Sequence, residues 1–268
     1  MTKRKIYTAA IVIFLSCLFI PLKGFAFSYG TYSKILNKYV HRNRMLGGIK
    51  MNVVDYKGLH KEYKNPSSDF NSLLKELSTF NPSTLRGRNA RLAFWINVYN
   101  IGAINLVLMN YPVGSIRSLK INVFKNPWDK DAIKVNGRWY SLSYIEHNIL
   151  LKKYGEKSSH FGIVCASVSC PDITIRLYTK RTVRWLLKKM GRRFIKNTKK
   201  GMRIDRAKNI VYLSKIFKFD KKNFGRGKAD IIPFILPFVS PKESKDYLKN
   251  GTYKIEFMPY NWNLNRLK

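Results

Sequence analysis

The stretch Ala90 to Asn110 reads Ala-Arg-Leu-Ala-Phe-Trp-Ile-Asn-Val-Tyr-Asn-Ile-Gly-Ala-Ile-Asn-Leu-Val-Leu-Met-Asn and is followed by Tyr111-Pro112. It is long enough for a helix, and the proline stops it. Apolar residues run nearly all the way round, leaving no polar stripe for solvent. Such a helix must be enclosed, so the pattern predicts a buried central helix. Enclosing it takes a large chain. The 268 residues, 45% hydrophobic with 16 Phe, 16 Tyr and 5 Trp, suffice for that and are unlike a disordered tail. Asn97 and Asn100 interrupt the apolar surface on one face. A buried amide must be hydrogen-bonded, so the pair either braces neighbouring loops or lines a polar site.

Shorter patterns surround this helix. Residues 28–46 are polar-aromatic and read as a helical lead-in. Ser68 to Phe80 places Phe70, Leu73, Leu74 and Leu77 at helical spacing and is stopped by Asn81-Pro82. Ala132 to Val135 and Arg138 to Tyr140 flank Asn136-Gly137, a hairpin signal. Ser143 and Glu146 have the spacing of a capping box, with Ile145, Ile149 and Leu150 on the apolar face that follows. Thr179 to Asn197 is an amphipathic helix, Met202 to Asp205 and Ile210 to Leu213 pair as strands, and Ala229 to Phe238 is a helix broken at Pro233 and Pro237. Tyr253 to Met258 alternates like an edge strand. With no repeat and no low-complexity linker, residues 27–268 read as a single α+β domain: a buried central helix with a mostly antiparallel sheet.

The first 26 residues read differently. Lys3-Arg4-Lys5 precedes an apolar run from Ile6 to Leu22, and Gly24-Phe25-Ala26 ends in small-x-small. That is the pattern of a cleavable signal peptide, so residues 27–268 are expected to be exported, periplasmic or secreted. Net charge is +36, and four of those charges, Lys3, Arg4, Lys5 and Lys23, lie in the leader. The remaining basic residues are spread along the chain and no nucleic-acid module is present, so nucleic acid is set aside as a partner. A solvated basic surface accounts for the charge, and contact with an anionic polymer or membrane surface of the cell envelope is the sharper alternative.

The chemistry sits in His160-Phe161-Gly162-Ile163-Val164-Cys165-Ala166-Ser167-Val168-Ser169-Cys170-Pro171. Phe161 to Val164 reads as a short buried strand ending on a cysteine. Cys17 lies in the leader, so Cys165 and Cys170 are the cysteines of the domain. A thiol with a histidine and a carboxylate makes a thiol hydrolase. In an oxidising compartment the same two cysteines can instead form a disulfide. Cys165 is the better fixed, though either can be the nucleophile, and backbone N–H groups of Ala166 to Ser169 are oxyanion-hole candidates. His147, near a helix start where the dipole keeps imidazole neutral, is the preferred base. Glu146, next to it, diverges on a helix and suits a cap better than an orienting role. If residues 160–165 form a regular strand, His160 points away from Cys165. His41 and His60 read as surface residues. No spacing matches a metal site, and no cofactor is implied.

Taken together, these blocks resemble the bacterial and plant family called domain of unknown function 547. The matching segments are Ala93 to Asn100, Tyr111-Pro112-Val113, Ser141 to His147, His160 to Pro171, Leu213 to Phe217 and Tyr260 to Asn265, in order over roughly residues 50–265. The last block departs from the family's usual Tyr-Asp-Trp by carrying Asn261 in place of the acid. In its ingredients the family is similar to papain-like and transglutaminase-like thiol enzymes. The resemblance implies a site at Glu146, His147 and Cys165, although histidine precedes cysteine, the reverse of papain. The expected function is an exported cysteine hydrolase acting on amide or peptide bonds of envelope proteins or peptides. The alternative is a non-catalytic, basic envelope-binding module with a Cys165–Cys170 disulfide. Asn97, Asn100, His160 and Cys170 are the expected orienting or substrate-binding residues.

Overall fold

The computed structural model describes residues 27–122, 126–225 and 227–268; the leader expected over 1–26 lies outside them. The fold is α+β, built around helix α4 (Arg88–Met109), which is buried at every residue from Leu92 to Leu108. By length and composition α4 could cross a membrane, but its apolar surface is covered by the protein itself. Its neighbours are helices α1 (Gly30–Tyr39), α2 (Tyr56–Tyr63) and α3 (Asp69–Thr79), joined to it through one continuous apolar core. Asp55 caps α2 by accepting the Gly58 N–H, and Ser68 caps α3 by accepting the Asn71 N–H.

The lead-in read as helical over 28–46 splits at Val40. Strand β1 (Val40–Leu46) turns back into β2 (Ile49–Val54) through Gly47 and Gly48, whose φ angles are 56° and 74°. Glycine takes such angles without the cost a Cβ brings, which lets β1 turn back and pair with β2. The short helix α5 (Leu119–Asn122) precedes the expected hairpin of β3 (Asp131–Val135) and β4 (Arg138–Ser141). Its turn residues Asn136 and Gly137 both have positive φ, as a type I′ turn requires.

Two local expectations fail next to each other. Ser143 makes no cap; Ser141 Oγ accepts the Tyr144 N–H instead, at 3.1 Å, and residues Tyr144–Lys153 wind as a π-helix. Glu146 is thereby released from any capping role. Residues 161–164 are not a strand either. A 3₁₀ turn covers Lys157–Phe161, and the Gly162 and Ile163 N–H groups both go to Ser159 O. The run is apolar because it is buried, and among the described residues no strand pairs with it.

Helix α6 (Val183–Lys196) then turns its apolar face inward, and β5 (Met202–Asp205) pairs with β6 (Ile210–Leu213) as expected. Short helices α7 (Ile216–Phe219) and α8 (Lys221–Phe224) lead to α9 (Lys228–Ile235), which contains Pro233, and a 3₁₀ turn at Leu236–Phe238. After α10 (Lys242–Asn250), β7 (Lys254–Phe257) takes the sheet edge, but parallel to β6. The sheet structure is therefore three small pieces, antiparallel apart from that pair.

Candidate functional site

The loop that follows residue 164 carries the site, and distant segments shape it. From α4, Asn100 accepts the Val164 N–H at 2.9 Å and donates to Gly162 O at 2.9 Å, taking the place of a missing strand. Ala166 has φ of 59°, a left-handed angle that costs a residue with a Cβ about 1–2 kcal/mol. The C-terminal segment holds it there: Asn265 N–H donates to Ala166 O, Val168 N–H to Asn263 O and Ser169 N–H to Asn261 O. Underneath, the buried Lys200 ammonium donates to Cys170 O at 2.7 Å and pairs with Asp172 at 2.7 Å; Arg193 takes the other Asp172 oxygen at 2.6 Å. A buried ion pair of this kind is worth little against an apolar substitute, but breaking it on one side is costly. Its effect here is to fix where the loop sits.

Cys165 and Cys170 are both free thiols in this arrangement, their sulfurs 2.8 Å apart, wider than a bond of about 2.05 Å. The Cys165 sulfur also lies 3.2 Å from Ser167 Oγ and 3.4 Å from the Tyr260 hydroxyl, while its own N–H donates to Cys170 Sγ at 3.0 Å. The Cys170 hydrogen bond, then those of Ser167 and Tyr260, hold the Cys165 thiol below its ordinary value against the opposing effect of burial. Burial and the neighbouring sulfur push Cys170 well above its own. The two thiols are therefore inequivalent: Cys165 is the readier thiolate.

His160, 7% exposed, sits between two carboxylates. Glu146 Oε1 is 3.2 Å from Nδ1 and Asp220 Oδ2 is 2.8 Å from Nε2. Both contacts are short enough to act on the protonated ring. Burial alone would lower the imidazole pKa, but Asp220 and Glu146 overcome it and raise the value to about 9. The ring packs on Phe224 with centroids 4.5 Å apart. In the other direction, His160, Asn223 and more distantly His147 hold Asp220 below its ordinary value despite burial.

These groups share one cavity of about 460 Å³. Cys165, Cys170, Glu146, His147 and His160 all line it, so the structure brings together five of the seven residues singled out in the sequence. Trp128, Phe219, Tyr260 and Trp262 form an aromatic wall, with the Arg117 guanidinium 4.9 Å from the Trp262 ring centre. His147 is exposed on the cavity side, with no hydrogen bond or ion pair among the described residues.

Several expectations are corrected here. Glu146 holds His160 rather than His147 or a helix start. His160 does not point away from the thiol, because residues 160–164 form no strand and the alternation argument lapses. Asn97 and Asn100 do not line the cavity; they are braces, Asn97 bonding Tyr178 O at 2.7 Å and Asn100 the segment before Cys165. Of the backbone N–H groups expected over Ala166 to Ser169, those of Val168 and Ser169 are spent on the C-terminal segment, which removes these two as oxyanion donors. His60 is half-buried, stacked near Tyr63 and Tyr111, rather than a plain surface residue. Asn261 is exposed and its Oδ1 accepts the Asn263 N–H at 2.9 Å. An aspartate would accept that N–H equally well, so the departure at this position leaves the turn intact.

Asp220, Tyr260 and Ser167, and the buried Lys200–Asp172 pair beneath them, had no role in the sequence reading. Tyr260 lay in a recognisable block, but Asp220 had no local signal. Glu146, His160 and Asp220 offer ligand atoms within 4.8 Å of one another. The carboxylates flank opposite nitrogens of one ring, so a protonated His160 offsets one of the two negative charges and the cluster keeps a net negative charge.

Residues 82–195 match the model of the family described as protein of unknown function, DUF547. No curated protein and no solved structure matches the chain. The resemblance read from the sequence blocks is thus borne out over the segment that holds Glu146, His147, His160, Cys165 and Cys170. Asp220, Tyr260 and Trp262 complete the cavity from outside the matched segment.

Proposed function

We propose that this DUF547-domain chain is a cysteine hydrolase acting on amide or peptide bonds, with Cys165 as the nucleophile. The observation that carries the reading is the cavity in which a low-pKa thiol, two histidines and two carboxylates from three separate segments converge. The Cys165 thiolate attacks the carbonyl carbon. The Ser167 and Tyr260 hydroxyls, 3.2 and 3.4 Å from the Cys165 sulfur, are the donors beside the developing oxyanion; burial and the adjacent thiolate hold the Tyr260 pKa well above the ordinary value, so it keeps its proton. His147, which makes no ion pair among the described residues, gives a proton to the departing amine, and the same imidazole then takes one from the water that releases the acyl group. His160 stays cationic between Glu146 and Asp220 and fixes the floor of the cavity.

The charge of the cavity narrows the substrate. Among the described residues it is lined by Asp129, Glu146 and Asp220 against Arg117 alone of the Lys and Arg residues. The whole chain has 51 Lys and Arg to 15 acids. A neutral or cationic group beside the scissile bond suits this cleft, and a polyanion does not. Export, read from residues 1–26, places the substrate in the cell envelope and belongs to the same proposal.

The test is labelling of the reduced, purified chain with an electrophilic thiol probe, alongside release of amine from a peptide-amide library. Cys165→Ala should abolish both. His147→Ala should slow hydrolysis by about 10²–10⁴-fold while leaving the chain folded. Labelling and hydrolysis that survive Cys165→Ala would end the proposal.

A second reading, contact with an anionic envelope polymer, is favoured by one surface. Arg184, Lys188, Lys189, Arg192 and Lys196 are exposed along α6 beside the exposed Trp185, whose ring is 5.0 Å from the Lys189 ammonium. Binding to anionic vesicles that does not weaken as salt rises from about 50 to 200 mM would argue against it.

A further inference from the structure

We propose that Cys165 and Cys170 form a reversible dithiol–disulfide couple that exchanges with disulfides entering the cavity, Cys165 attacking and Cys170 resolving. This rests on Cys165 being a reachable nucleophile, as the hydrolase reading does, but not on hydrolysis. Three observations carry it. The sulfurs stand 2.8 Å apart, so bond formation needs less than about 1 Å of approach and no rearrangement of the loop. Both thiols line the open cavity, so an outside disulfide can reach the pair. Their surroundings also differ in the sense that exchange requires. Ser167 and Tyr260 hydroxyls flank the Cys165 sulfur, whereas Cys170 lies over the Lys200–Asp172 pair and its sulfur accepts the Cys165 N–H. The opposite pKa displacements of the two thiols agree with that division of roles.

The chemistry balances with one disulfide as oxidant. The Cys165 thiolate attacks one sulfur of R–S–S–R′; the Cys165–S–R bond forms, the S–S bond breaks, and R′S⁻ leaves. Cys170 gives its proton to R′S⁻ and its sulfur attacks Cys165 Sγ; the Cys165–Cys170 bond forms and RS⁻ leaves. Two electrons pass from the pair to the substrate disulfide, and the reverse sequence transfers a disulfide to an outside dithiol. While the pair is bonded, Cys165 is unavailable as a hydrolytic nucleophile. A redox state of the surroundings would thereby set whether the cavity exchanges disulfides or cleaves amides.

The experiment equilibrates the full chain in mixtures of oxidised and reduced glutathione, quenches with acid, alkylates free thiols and maps peptides by mass spectrometry. The expected result is a Cys165–Cys170 disulfide whose fraction follows the glutathione ratio reversibly. Cys170→Ser should instead accumulate a glutathione adduct on Cys165 that persists at least roughly tenfold longer than any adduct on the parent chain, because its resolving thiol is gone. A parent chain that shows no internal disulfide at any ratio, or a Cys170→Ser adduct no longer-lived than the parent's, would overturn the couple. The electrophilic probe separates this failure from that of the hydrolase: labelling of Cys165 without internal disulfide removes only the couple, and a reversible disulfide without amide cleavage removes only the hydrolase.

Discussion

Helix α4 and the loop 165–172 are about equally dry, but they are held in opposite ways. In α4 the stabilising contacts are apolar and all-round, and the buried residues from Leu92 to Leu108 would satisfy their backbone in any helix. The loop has no regular ladder. Its backbone is satisfied one group at a time by the C-terminal residues 261–265 and by Lys200, with Asn100 holding the residues just before it. The helix supplies stability; the loop supplies position, with inequivalent thiols as the result. Asn97, Asn100 and Asn105 link the two regimes, because each reaches from the apolar helix to the backbone of a different segment.

The contrast can be broken most forcefully in the core. Phe94→Ala, which empties space beside Phe27, Phe80 and Trp95, should cost about 3–5 kcal/mol in denaturant unfolding while the folded fraction keeps its thiol reactivity. Lost reactivity at unchanged stability would contradict the division drawn here. Asp172→Ala strands the buried Lys200 ammonium and should cost about 3 kcal/mol, with Cys165 labelling altered as well, since the loop loses its floor.

The His160 cluster tests the polar side through pH. A group whose folded pKa is raised, here from 6.5 to about 9, contributes stability that is complete below 6.5 and fades as pH climbs through 9. Asp220, lowered from 3.8, contributes stability that fades on the acid side instead. The lowered Cys165 thiol acts in the opposite sense over the same range, so the effect is read as a difference: the advantage of the parent chain over His160→Gln in urea should shrink between about pH 6.5 and 9.5 by roughly 2–3 kcal/mol. An unchanged difference would mean the imidazole is not clamped as a cation.

Two smaller effects sharpen the comparison. Asn100→Ala leaves Val164 N–H and Gly162 O without their partner and should cost about 1–3 kcal/mol, with a change in probe labelling that Asn105→Ala, on the far side of the helix at Ala132, does not cause. Ala166→Gly relieves the left-handed angle but adds chain entropy, so stability should move by less than about 1 kcal/mol, whereas Ala166→Val should be clearly destabilising. Equal tolerance of glycine and valine there would show that the loop is not held at that angle.

The regular elements were readable where a local period had a single physical meaning. The α4 run, the α3 helix and the Asn136-Gly137 hairpin all appear where their residues place them. The misreadings share one cause. Phe161 to Val164 is apolar and short, a pattern that fits a strand or any buried segment, and nothing local reports that no partner strand is nearby. Ser143 and Glu146 have capping spacing, but their side chains are decided by Ser141 and by His160, residues that local spacing does not rank.

By itself, the amino-acid order determined a large apolar core, its central helix, the segment that carries the thiols and the match of residues 82–195 to a family model. These follow from periodicity and composition, which act over a few residues. Tertiary structure alone decided which histidine Glu146 holds, that Asp220 and Tyr260 join the site, and that Cys165 and Cys170 differ. Those outcomes depend on distances between segments as far apart in the chain as Glu146 and Asp220, and on burial, which sets the strength of every charge interaction among them.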